Sequence, residues 1–115
     1  DLALGDAGKH CAVGEIRYDC VDRGAEPGTL LYLKPVLNGN EPADVLHYRA
    51  ANRSFPQQPT ADQWFDESQF ESYRRLGAHT IEEILGESKQ SFGIEDLMRA
   101  AREYLTENRP GAHAV

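Results

Sequence analysis

The chain has 115 residues, 40% of them hydrophobic and 9% aromatic, which supports one modest core. Nineteen acidic residues against twelve basic ones give a formal net charge of -7, which disfavours nonspecific nucleic-acid binding and offers no general attraction to anionic lipid. No run of about 18 apolar residues is present, so no membrane-spanning helix is expected, and Cys11 and Cys20 are too few for a disulfide framework.

Residues 1–10 have no clean period and read as a loop, with no basic segment followed by an apolar one of the kind that makes a signal peptide. The chain opens on Asp1 without a methionine, as a processed protein or an excised piece would. From Cys11 the pattern alternates. Ala12, Gly14, Ile16, Tyr18 and Cys20 fall on one side, and the more polar Val13, Glu15, Arg17, Asp19 and Val21 fall on the other. The first set is the expected buried face. Both thiols are expected to be free, because two cysteines this far apart in one extended strand lie beyond disulfide reach. Asp22–Gly28 is a turn region, and Thr29–Lys34 is a short apolar strand stopped by Pro35. The two strands should pair antiparallel as a hairpin over about 11–34. A two-stranded hairpin is marginal alone, so either residues 1–10 add a third strand or the sheet continues in a larger body.

Pro42 suits a first helical turn, and Val45, Leu46, Arg49 and Ala50 share overlapping faces, which predicts a helix over about 42–51. Residues 52–59 contain two prolines and must be irregular, with Phe55 plugging the core. The next stretch dominates the sequence. Thr60 and Gln63 make a capping box, Gly77 supplies a left-handed terminator, and Trp64, Phe65, Ser68, Ser72 and Leu76 line one face. These features predict a core helix over about 61–76. Thr80 with Glu83 reads as a second capping box for a short helix over about 81–85, ended by Gly86. Residues 86–91 read as a loop. Ile94, Leu97, Met98, Ala101, Tyr104 and Leu105 form an apolar stripe on a last helix over about 92–106, beyond which the terminus is expected to be loose. The fold class is therefore α+β: a short antiparallel hairpin packed against three to four helices, in one small domain over 1–115 or in a piece of a larger protein.

No catalytic constellation appears. His10 and Cys11 are adjacent, Cys20 and His79 are remote, and CxxC, HxxxH and HExxH are absent, so no metal ligands and no cofactor are expected and the histidines read as ordinary surface residues. No serine stands in a GxSxG turn. Asp62 with Asp66, and Glu67 with Glu71, are spaced to meet on a helix, but such pairs are read as a solvated face, partly offset by pairing of Glu71 with Arg75. The residues assigned to a contact surface are Phe55, Trp64, Phe65, Phe70 and Tyr73.

Residues 28–80 carry a distinctive wording: Leu33-Lys34-Pro35, Asn38-Gly39, Glu41-Pro42, Asp44-Val45, Phe55-Pro56, Thr60-Ala61-Asp62-Gln63, Phe65-Asp66-Glu67 and Gln69-Phe70-Glu71-Ser72-Tyr73-Arg74-Arg75-Leu76-Gly77. This run resembles the C-terminal region of bacterial patatin-like phospholipase family proteins. The resemblance implies a lipid acyl hydrolase whose serine sits in GxSxG and whose aspartate sits in a DG motif, on a central α/β sheet. Neither motif occurs in this chain, so no catalytic residue carries over. The expected role is a noncatalytic C-terminal segment that shapes or supports a catalytic domain upstream in the same polypeptide, and the isolated chain is expected to be inactive. The alternative is an interaction or oligomerisation module acting through the aromatic helix. A cytoplasmic location follows from the free thiols, with membrane association of the parent left open.

Overall fold

The computed structural model describes residues 8–86 and 93–107. Two strands, β1 (Cys11–Ile16) and β2 (Gly28–Leu33), form an antiparallel pair in which Cys11 faces Leu33 and Ile16 faces Gly28. Three helices follow: α1 (Ala43–Ala51), α2 (Glu67–Leu85) and α3 (Ile94–Thr106). The architecture is the small α+β fold expected. The described residues form two strands: of residues 1–10, where a third strand is the alternative, 8–10 form none and 1–7 lie outside the described residues, as do 87–92 and 108–115.

The hairpin departs from expectation in length and in face. β1 ends at Ile16, and Tyr18–Cys20 turn into a single 3-10 turn rather than extending the strand. Arg17 and Asp19 pair across that turn at 2.6 Å, and the Tyr18 ring lies so close to Gly28 that a Cβ there would sit 2.6 Å from Cε2. The face packed on α3 is the one carrying Cys11, Val13 and Leu31, while on the opposite face Ala12 is buried as expected and Gly14 and Ile16 are half-buried. The apolar stripe of α3 decides this. Its Ala101 and Tyr104 are buried against Cys11, with Leu97 and Leu105 packed beside them, and this stripe needs an apolar face to cover it. Ile94, also placed on the stripe by sequence, is exposed at the start of α3. Lys9 ties the hairpin to the other end of α3 by donating to the carbonyls of Tyr104 (3.1 Å) and Glu107 (3.0 Å), a cation where the helix dipole is negative.

α1 begins one residue after Pro42, which occupies the cap position itself. Asn52 closes α1, its Nδ2 donating to the Tyr48 carbonyl at 3.1 Å. Phe55 is fully buried as expected, edge-on to Tyr48 (5.1 Å between centroids) and Tyr73 (4.8 Å). With Val45 and Leu76 it forms a second apolar cluster, separate from the one under the hairpin.

The largest correction concerns α2. The helices expected over 61–76 and 81–85 are one helix of 19 residues, and it starts later. Asp66, not Thr60, is the N-cap: its Oδ1 accepts the Gln69 amide at 2.7 Å. Gln69 is buried, and its Nε2 donates to Gln58 Oε1 (3.1 Å) and Asp62 Oδ2 (3.3 Å), which straps the preceding loop across the helix start. Residues 61–66 are therefore outside the helix, and Trp64 is 91% exposed instead of lying in a core face. Gly77 does not end the helix, because Leu76, Thr80 and Ile84 continue one buried face through it. A mid-helix glycine costs only about 1 kcal/mol relative to alanine, which packing of that face overrides. Thr80 accordingly lies within the helix and caps nothing. Gly86, with φ 59°, is the terminator.

This geometry sets a test at Gly77. A Cβ there meets nothing within 4 Å. Gly77→Ala is expected to stabilise the fold by about 0.5–1 kcal/mol, read from the urea unfolding midpoint. A helix break at Gly77 would make the same substitution destabilising.

Candidate functional site

α2 is the common wall of both apolar clusters: Leu76 belongs to the one with Phe55, and Ile84 to the one with Cys11. Between those two positions the buried face is polar, at His79 and Thr80. Opposite them lie His10, immediately before β1, and Glu41, immediately before Pro42 and α1. All four are buried, with His10 fully enclosed.

The backbone fixes His10 on two sides. Its amide donates to Tyr104 Oη at 3.3 Å, and its carbonyl accepts the Lys34 amide at 2.7 Å, prolonging the strand ladder by one rung. Its ring lies 3.1 Å from Asn38 Nδ2 through Nε2 and 3.5 Å from Thr80 Oγ1 through Nδ1. The His79 ring stands edge-on to it, 5.9 Å between centroids, with Nε2 3.4 Å from Asn40 Oδ1. Glu41 folds the loop back on itself: one carboxylate oxygen accepts the Asn38 amide, and the other accepts the Gly39 amide at 2.8 Å. Gly39, with φ 92°, takes the left-handed conformation that lets both amides point at one carboxylate.

Burial lowers the pKa of the His10 imidazole below its ordinary value, and the like charge of His79 acts in the same direction, opposed by Glu41 and Glu83. At neutral pH His10 is thus the neutral base. Burial also raises the Cys11 thiol, despite Lys34 and Lys9 nearby, which leaves little of the nucleophilic thiolate at neutral pH. Cys11 and His10 are neighbours, but the thiol is part of the apolar cluster under the hairpin.

The expectation that the histidines are ordinary surface residues fails for His10 and His79. Their enclosure was not legible in the sequence, since the donors of this site come from three distant segments and no local spacing links them. The helix carboxylates behave otherwise than spaced. Asp66 is a cap, Asp62 supports Gln69, and Glu71 pairs with Arg74 at 2.6 Å while Arg75 reaches Asp44 at 3.3 Å. Of the residues assigned to a contact surface, Phe55 is buried and Tyr73 half-buried, its Oη donating to the Pro56 carbonyl at 3.1 Å. Trp64, Phe65 (55% exposed) and Phe70 (63%) do stand at the surface. A groove of about 170 Å³ lined by Leu33, Pro35, Tyr73, Leu76 and Thr80 runs beside α2, small against the roughly 300–1,000 Å³ of ordinary ligand sites.

Comparison with protein families, curated proteins and solved structures finds no match to this chain.

The carboxylate of Glu41 has a measurable structural role. Glu41→Ala leaves the Asn38 and Gly39 amides without their acceptor, and should cost about 1–3 kcal/mol in urea unfolding. Glu71→Ala, which removes an exposed ion pair, should leave the urea midpoint nearly unchanged.

Proposed function

We propose that this chain is a noncatalytic segment of a patatin-like lipid acyl hydrolase, supporting a body that carries the chemistry elsewhere in the same polypeptide. What supports this reading, beside the wording of residues 28–80, is the apolar surface that the fold leaves uncovered. Leu30 and Tyr32 lie exposed on the hairpin, and Trp64, Phe65 and Phe70 lie exposed around the start of α2. Scattered exposed apolar residues are ordinary, but three exposed aromatics within seven residues of the start of α2, in a fold whose described sheet has two strands, suit a surface that another body covers. Among the described residues each strand also has one edge with no strand partner, onto which a larger sheet could add. No helix among the described residues is long and apolar enough to cross a membrane, so any lipid contact of this segment would be peripheral in the helical part.

The test uses short acyl ester turnover together with the emission of Trp64, the sole tryptophan. The 115-residue chain alone should show no turnover and a water-exposed emission. Joined to an upstream segment bearing GxSxG and DG motifs, it should show turnover and a blue-shifted Trp64 emission. In that longer polypeptide, a combined Trp64→Ala and Phe70→Ser variant should lower the melting temperature. Turnover by the isolated chain contradicts the proposal. A blue shift that instead tracks self-association of the isolated chain favours the interaction-module reading.

A further inference from the structure

Structural support does not by itself call for the buried layer of His10, Glu41 and His79. Each of the three offers one ligand atom, and those atoms all lie within 4.8 Å of one another. Among the described residues, Glu41 hydrogen-bonds to two backbone amides and to neither imidazole. A buried carboxylate thus faces two imidazoles without bonding to them, and a cation between the three would give all of them one shared partner.

We propose that His10, His79 and Glu41 bind one divalent transition-metal ion of the zinc class. Two imidazole nitrogens and one carboxylate oxygen are the borderline donor set that such ions take, whereas calcium and magnesium demand shells built from oxygen. The three ligands leave a fourth position for water. With bonds of about 2.0–2.1 Å, tetrahedral ligand atoms stand about 3.4 Å apart, so separations of up to 4.8 Å close by at most about 1.4 Å on binding. That closure is within the reach of side-chain torsions.

The surroundings have the form of a supported metal site. Asn40 Oδ1 lies 3.4 Å from His79 Nε2, and with that nitrogen as the donor Nδ1 is the one free to ligate. His10 has Thr80 on one ring nitrogen and Asn38 on the other, and the ion takes the place of one of these partners. Glu41 retains lone pairs on both oxygens after accepting its two amides. The three ligands are contributed by the β1 entry, the loop before α1 and the middle of α2, so the ion would clamp together the two halves of the fold. This inference stands independently of the hydrolase reading.

The experiment uses the untagged full chain after chelator treatment and desalting. Zn2+ should bind at one ion per chain by elemental analysis and raise the melting temperature, while Ca2+ and Mg2+ do neither. Co2+ should give the intense visible absorption of a four-coordinate site. His79→Asn and Glu41→Gln should each weaken Zn2+ binding by about 100-fold or more, and His47→Asn, on the exposed side of α1, should leave it unchanged. Failure of the wild-type chain to retain Zn2+, a pale six-coordinate Co2+ spectrum, or affinity that survives Glu41→Gln overturns the proposal. Should His79→Asn fail to fold, the wild-type stoichiometry and Co2+ spectrum decide it.

Discussion

Everything in this fold hangs on one face of α2, where Leu76, the His79–Thr80 pair and Ile84 succeed one another. Leu76 anchors the cluster with Val45 and Phe55, and Ile84 anchors the cluster with Cys11, Ala101 and Tyr104. Neither cluster is large enough to be convincing as a core by itself. A continuous helix running through both makes them parts of one body, and a continuous helix is possible only because the packing of that face overrides the weakness at Gly77.

The polar layer between the clusters is costly unless satisfied. Among the described residues no buried side-chain nitrogen or oxygen lacks a partner. Thr80, Asn38 and Asn40 surround the two imidazoles, and the Gly39 turn delivers its amides to Glu41. Such a network adds less net stability than an apolar layer would, but it discriminates between registers. If α2 slid by one residue, its faces would also turn by about 100°, and His10 and Glu41 would lose His79 and Thr80 as facing groups.

The pairing of the hairpin, α1, α3 and the Phe55 plug were legible because each depends on local pattern: two apolar runs around a turn, a proline at a helix start, an apolar stripe, an aromatic in a proline-broken stretch. The central helix was misread for a physical reason. Trp64 and Phe65 weigh heavily in any hydrophobic pattern, yet the Asp66 cap and the Gln69 strap hold them outside the helix. Gly77 and Thr80 carry the local marks of a stop and a start, and both were overruled by long-range burial that no window of neighbouring residues reveals. The same limit hid the site. Nothing in the spacing of His10, Glu41 and His79 connects them until the β1 entry, the Gly39 turn and α2 are folded together. The exposed thiol of Cys20 and the buried one of Cys11 were separable only once β1 was seen to end at Ile16.

The central claim is that α2 is a single cooperative helix joining two clusters across a polar layer. Native-state hydrogen exchange of the amides from Arg75 to Ile84 tests it most directly. The account predicts that these amides exchange with one common opening free energy, close to that of global unfolding, with no weak point at Gly77 or Ala78. Fast, independent exchange at Gly77–Thr80 between two protected stretches would mean two helices and two separable halves, and would contradict it.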